Sequence, residues 1–318
     1  MARKLIIDCD PGIDDAVALT IALFDPRLEV VAVTACSGTV DAVRSTRNLQ
    51  AIVEQLDPPR HPRLGEATDP DDAPVNDGRD IHGDDGLGNI SLTPVGRQHI
   101  MPSEKLIADR LKAEPGKVSI LCLGPMTGIA RAFIKDPSLV SMVDRIIIVG
   151  GSDVGYGDVT AAAEFNMHFD PSAAATIFRS ATTKTLVPLQ ITQQVSFGLE
   201  LLEQLPPRYT RAGKLLHSMI PHLFRTMRQQ RAQEMISLQA AIALLVLVEP
   251  HLFMTEEATI DVEEVGVLTR GATIIDHRPT ARQRKNVEVV TSADIPSVRE
   301  SIIRGLKFAG QQSDHQSE

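Results

Sequence analysis

The sequence predicts an α/β protein of Rossmann-like architecture, with a mostly parallel central sheet flanked by helices. Three observations predict it: short, almost wholly apolar strands recur as far as Pro188, turns rich in Gly or Pro end most of them, and helical stretches follow. Lys4-Leu5-Ile6-Ile7 opens the series as a buried strand that Pro11-Gly12 breaks. A helix follows from Asp14 to Leu23, with Asp14 and Asp15 in its first turn, where negative charge suits the helix dipole. Residues 28–34 (LEVVAVT) form a second strand, and the Gly38-Thr39 turn leads to a helix beginning near Val40. Residues 118–123 (VSILCL) end at Gly124-Pro125 before a helix over 127–134, residues 145–149 (RIIIV) end at Gly150-Gly151, and 184–188 (KTLVP) form a further strand. Strands that are apolar on both faces belong to a sheet covered on both sides. Ligands of such sheets sit beyond the carboxyl ends of the strands. The aspartates after the first strand, Gly38-Thr39, Gly124-Pro125 and Gly150-Gly151 all fall on that edge.

The remaining segments are read by composition. Residues 58–102 are dense in Gly, Pro and Asp and predict a long loop over the active edge. Residues 199–247 read as mostly helical, and 259–264 and 287–290 as late strands. No linker or repeat divides residues 1–310, which read as one domain, while 311–318 read as a polar, disordered tail.

The 318 residues carry 32 basic against 41 acidic side chains, a formal net charge of −9. That balance opposes the phosphate attraction on which nucleic-acid binding depends and favours a small-molecule ligand. Three cysteines, Cys9, Cys36 and Cys122, in apolar settings argue for free thiols in a reducing, cytoplasmic compartment. No signal peptide is visible, and the longest apolar run, 240–248, is far short of the roughly 20 residues a membrane helix needs.

Asp8, Asp10, Asp14 and Asp15 lie within eight residues across the Pro11-Gly12 turn. Helix capping accounts for Asp14 and Asp15, but not for Asp8 and Asp10 at the end of an apolar strand. A divalent cation resolves the crowding, and oxygen-only ligands select Ca2+ or Mg2+ over zinc. By itself the cluster admits two chemistries: phosphoryl transfer of the haloacid-dehalogenase type, on Asp8-x-Asp10, or metal-assisted hydrolysis of an N-glycosidic bond.

The continuous stretch Asp8-Cys9-Asp10-Pro11-Gly12-Ile13-Asp14-Asp15-Ala16 resembles the D-x-D-P-G-x-D-D signature of the inosine-uridine-preferring nucleoside hydrolases. Further likenesses follow in that family's order. Ile81-His82-Gly83 is similar to its I-H-G loop, Gly124-Pro125-Met126-Thr127-Gly128-Ile129-Ala130 to its G-P-L-T-N-I-A segment, and the block from Ala163-Glu164-Phe165-Asn166 to Asp170-Pro171-Ser172-Ala173-Ala174 to its A-E-F-N-x-x-x-D-P-x-A-A block. Val265, Gly271 and His277-Arg278-Pro279 resemble its late strand pair, so the likeness spans residues 4–303.

The resemblance implies a Ca2+-dependent nucleosidase, homodimeric or homotetrameric, releasing base and ribose. It implies that Asp10 binds the metal and acts as general base, that Asp15 and the Leu123 carbonyl are further ligands, and that Asp8 supports the cluster from behind. Asp14, Glu164 and Asn166 would bind ribose hydroxyls, and His82 would lie over the base. Cys9, His168 and His277 read as structural.

Four positions depart from the pattern. Gln239-Ala240 stands where the family has His-Asp, which removes a metal-ligating carboxylate and a candidate proton donor to the leaving base. Thr39 and Asp158 each replace an Asn at substrate-binding positions. Gln239 can hydrogen-bond to a substrate but cannot protonate it. These departures favour, as the alternative, a nucleoside-binding protein with weak turnover.

Overall fold

A computed structural model describes residues 2–74, 77–96, 100–276, 278 and 285–314. In chain order its strands are β1 (Arg3–Cys9), β2 (Leu28–Ala35), β3 (Arg63–Glu66), β4 (Ile100–Pro102), β5 (Val118–Cys122), β6 (Val143–Val149), β7 (Lys184–Val187), β8 (Ser196–Phe197), β9 (Ile236–Ser237), β10 (Phe253–Ala258), β11 (Ile260–Val262), β12 (Thr273–Ile275) and β13 (Val287–Ala293). The helices are α1 (Ile13–Ala22), α2 (Ala42–Leu56), α3 (Arg79–His82), α4 (Ser103–Ala113), α5 (Thr127–Lys135), α6 (Phe165–Phe169), α7 (Pro171–Arg179), α8 (Leu189–Gln194), α9 (Leu201–Gln204), α10 (Arg211–Arg231), α11 (Gln239–Val248) and α12 (Ile295–Asp314).

Nine strands form the main sheet in the order β10-β13-β7-β6-β5-β1-β2-β3-β4. Every pairing in it is parallel except β10 with β13. From β1 the chain winds outward through β2, β3 and β4, then returns to β5 on the other flank of β1 and winds the opposite way. The direction reverses between β1 and β5, so the segments leaving their carboxyl ends run to opposite sides and leave a crevice.

Alternation along β1 shows why this strand lies at the centre. Leu5, Ile7 and Cys9 enter the apolar layer beneath α1, α10, α11 and α12, while Ile6 enters the layer beneath α4, α5 and α7. Each of these side chains is fully buried, contributing about 1.5–3 kcal/mol for the large aliphatic ones. Helix α11 is apolar on all sides, with Ala240 through Leu247 buried, and packs on α1 and β6 as a core helix.

Several sequence expectations shift in detail. Residues 58–102 hold β3, α3 and β4 as well as loop. β3 and β4 are four and three residues long at the sheet margin, too short to show a periodicity. Helix α2 begins at Ala42, because the Asp41 carboxylate accepts the Arg44 N–H and caps it there. The expected tail is helical as far as Asp314, where Ser313 is buried and its hydroxyl accepts the Ala212 N–H at 3.3 Å. His277 and Pro279 lie outside the described residues. Among the described residues, no helix is long and apolar enough to cross a membrane.

Candidate active site

The crevice between β1 and β5 collects the acidic residues because the first strand ends in Asp8-Cys9-Asp10 and the Pro11-Gly12 turn reverses the chain into α1. Asp8 is wholly buried on β1; one oxygen accepts the Thr34 hydroxyl from neighbouring β2, and Oδ2 has no partner among the described residues. Asp10 Oδ2 accepts both the Thr39 N–H at 2.8 Å and the Thr39 hydroxyl at 2.9 Å. Asp15 Oδ2 accepts the Gly12 N–H at 3.0 Å, fixing the turn against the helix it begins.

Glycine is required around Asp10. A Cβ on Gly38 would stand 2.4 Å from its Oδ2, and one on Gly124 2.3 Å from its Oδ1. The two turns expected at this edge from sequence are therefore the walls of the carboxylate's niche.

Burial dominates the electrostatics. It pushes the Asp8 and Asp10 carboxyls up to about 7, with the Thr34 and Thr39 hydrogen bonds opposing the rise. Asp15 is driven well above the ordinary range by burial and by the charges of Asp14 and Asp10. Buried carboxylates in this condition need protons or a cation.

On the β5 and β6 side, Asn166 Nδ2 donates to the carbonyls of Leu123 at 2.8 Å and Val149 at 3.1 Å. Both amide hydrogens are used on the backbone, leaving the Asn166 oxygen as its acceptor toward a ligand. Glu164 caps α6 and accepts from Gly151 N at 2.8 Å and Met167 N at 3.3 Å. Burial, reinforced by the Asp158 charge, raises its carboxyl to about 8. Gly150, at φ +130°, passes so close that a Cβ there would lie 2.6 Å from Glu164 Oε2. Asp158 is half-buried and accepts the Phe165 N–H at 3.0 Å, and its carbonyl accepts from Arg231 at 2.8 Å.

His82 arrives from the other side, at the end of α3. Its Nδ1 accepts the Ile13 N–H at 3.0 Å, so the neutral ring carries its proton on Nε2. Burial lowers its pKa, with Asp14 and Asp80 opposing. Gly12 lies between His82 and Thr39, within about 3 Å of both for an added Cβ.

The structure thus links Asp8, Asp10, Asp15, Thr39, His82, Leu123, Asn166, Glu164 and Asp158 around one crevice, with Asp14 half-buried at its rim. Thr39 donates to Asp10 through both its N–H and its hydroxyl, a contact the sequence did not reveal. Gln239 begins α11, half-buried, and its side chain makes no hydrogen bond among the described residues. Ala240 beside it is buried. His168 is a structural residue by its contact, Nδ1 lying 3.2 Å from the Arg270 carbonyl, and Cys9 is buried and free. Two participants were missed from sequence: Thr34, which lies one strand away from Asp8, and Arg231, which anchors the Asp158 loop from the far end of α10. Neither has a local sequence signal.

The sequence matches the model of the inosine-uridine preferring nucleoside hydrolase family over residues 5–300. The chain belongs to this family. This nucleoside hydrolase is 32% identical over 306 residues to the non-specific ribonucleoside hydrolase RihC of Salmonella enteritidis, covering 96% of the chain and 98% of that relative. Its structure is similar to the purine-preferring ribonucleoside hydrolase from Gardnerella vaginalis, with a TM-score of 0.89 at 27% identity, covering 97% of this chain and 99% of that one. It is also similar to a plant nucleoside hydrolase, with a TM-score of 0.84 at 30% identity over 98% and 99% of the two chains. The nucleoside hydrolase is accordingly an enzyme acting on N-glycosyl bonds, and the phosphatase reading of Asp8-x-Asp10 has no support.

The donor set suits a hard cation, in reduced form. Asp10, Asp15 and the Leu123 carbonyl supply only oxygen, which is the chemistry of Ca2+ and Mg2+ sites. Among the described residues no three His, Cys, Asp or Glu side chains gather closely enough to hold an ion by themselves. The Leu123 carbonyl would add a third oxygen, and Ala240 supplies none.

Proposed function

We propose that the protein hydrolyses ribonucleosides to free base and ribose in a Ca2+-dependent reaction, with Asp10 as general base. The observation that supports this is the pairing of buried Asp10 and Asp15 at the β1–β5 crevice, their carboxyls driven up by burial and one Asp10 oxygen left without a hydrogen bond among the described residues. Asp10 and Asp15 would hold the Ca2+, which when bound would neutralise their charge and lower the pKa of an attacking water.

The chain's own groups do the rest. Thr39 aims Asp10 with two hydrogen bonds, so the carboxylate can take a proton from the attacking water without reorientation. Asp14, Glu164, Asp158 and the Asn166 oxygen bind the sugar hydroxyls, and the carboxylate charge of Asp14 and Asp158 stabilises the oxocarbenium-like character that develops at the anomeric carbon. His82, with its proton on Nε2, would lie over the base and offer it a hydrogen bond. Free, buried cysteines support a reducing, cytoplasmic setting. A homodimer or homotetramer would cover Val265, Val267 and Leu268, which stand almost fully exposed.

Purified protein with Ca2+ should release ribose from a panel of purine and pyrimidine ribonucleosides, and chelation should stop it. No release from any of them would refute the reading. A second reading, nucleoside binding with slow turnover, is favoured by Gln239 and Ala240, which provide neither a proton donor nor a carboxylate. Calorimetric binding without turnover would select it. The double replacement Gln239→His with Ala240→Asp should then tighten Ca2+ about tenfold or more and raise kcat, since a lost ligand costs about that much in metal affinity.

A further inference from the structure

A cavity of about 390 Å3 lies outside the crevice, between α2 and the segment 84–93. Arg44, Arg47 and Asn48 line it from the helix, and Asp84, Asp85 and Thr93 are among the residues facing them. Arg44 and Arg47 are three residues apart, so both guanidiniums leave the same face of α2. Like charges at that spacing oppose one another unless an anion bridges them. Neither guanidinium is ion-paired among the described residues, and the only side-chain hydrogen bond of Arg44 is to the Asp84 carbonyl. Elsewhere in this acidic chain Arg27, Arg79, Arg131, Arg179 and Arg304 each reach a carboxylate.

The two acidic neighbours do not fill the role. Asp85 is turned into its own loop, where Oδ1 accepts from Leu87 N at 2.7 Å and Asn89 N at 2.8 Å and Oδ2 from Ser91 N at 3.1 Å. Asp84 is exposed and pairs with neither arginine. Asn48 donates to the Asp85 carbonyl at 2.8 Å, which fixes the loop against the helix and holds the cavity open as a built feature.

We propose that this cavity binds a small phosphate monoester, with Arg44 and Arg47 holding the phosphoryl oxygens. Two planar guanidiniums match phosphate geometry bidentately. The volume lies within the range of small-molecule pockets, roughly 300–1,000 Å3, and exceeds what inorganic phosphate fills. Leu92 and Thr93 would meet the organic part.

Calorimetric titration with inorganic phosphate and with glycerol 3-phosphate tests the site. The wild-type protein should bind saturably in the millimolar range or tighter, and Arg44→Ala with Arg47→Ala should weaken binding at least tenfold. Both side chains are exposed, so the fold should persist, as circular dichroism will show. Asp84→Asn should tighten binding severalfold by removing a repelling charge, and amide exchange over 84–93 should slow with ligand. Tighter binding of the ester supports the proposal and assigns the rest of the cavity to its organic group, whereas equal affinities would overturn the monoester and assign the site to free phosphate. Asp10→Asn should bind as the wild type does, because the site is separate from the catalytic carboxylates. No saturable binding, unchanged affinity in the double arginine variant, or loss of binding in Asp10→Asn would each overturn the proposal.

Discussion

Thr39 gives two hydrogen bonds to a single oxygen of Asp10, and the two differ in what substitution can remove. The backbone N–H survives any side chain; the hydroxyl does not. A hydrogen bond to a charged group contributes about 1.5–3 kcal/mol, so Thr39→Val should lower kcat/KM by roughly 10- to 100-fold. Thr39→Ser should keep most of the activity. Steady-state kinetics of the two variants decide it, and a Thr39→Val enzyme as active as the wild type would mean that the hydroxyl does not matter. The Asp10–Thr39 pair also marks the limit of what sequence reveals. Asp10 and Thr39 were both recognisable as residues of the active edge, because each follows a strand in a Gly-containing turn. That Thr39 reaches Asp10 depends on Cys36 N bonding the Cys9 carbonyl at 2.8 Å across two strands. Asn166 is a similar case, since the spending of its amide on Leu123 and Val149 depends on how the ends of β5 and β6 converge.

At the scale of elements, the long buried strands were legible and the marginal ones were not. β1, β2, β5 and β6 are apolar on both faces and announce themselves, whereas β3 and β4 are held by pairing with β2 and with each other. β7 is a buried strand with an anomaly, because Lys184 at its start is almost fully buried and donates to the carbonyls of Ser180 and Thr182, with no carboxylate partner among the described residues. Burial lowers its pKa from 10.5 to about 8. Between those values the unfolded chain holds a proton that the folded chain has lost, so stability rises with pH across that window. Lys184→Met should remove this contribution. Urea unfolding at pH 8 and pH 10 should show the wild type gaining on the order of 1–3 kcal/mol relative to the variant. Equal pH dependence in both proteins would mean that Lys184 stays protonated in the fold.

For the whole molecule, the same carboxylates act on stability and on function with opposite sign. The buried aspartates on β1 and α1 weaken the cation-free fold, because desolvation disfavours their charged forms. The nine-stranded sheet and its two apolar layers tolerate that cost, which places the charge where the strand order reverses. A cation that binds only the folded state returns stability by mass action, about 2.7 kcal/mol at a hundredfold excess over Kd. For a chain of this size that corresponds to a rise in Tm of about 5 °C. Asp10→Asn should therefore raise Tm in chelator, by removing a buried charge, and should lose the response to Ca2+. Thermal unfolding of both proteins with and without Ca2+ measures the two effects separately. A wild-type Tm indifferent to Ca2+ would show that Asp10, Asp15 and the Leu123 carbonyl do not bind the ion without the carboxylate that Ala240 replaces. A destabilised Asp10→Asn in chelator would show instead that the Thr39 hydrogen bonds outweigh the desolvation of the charge.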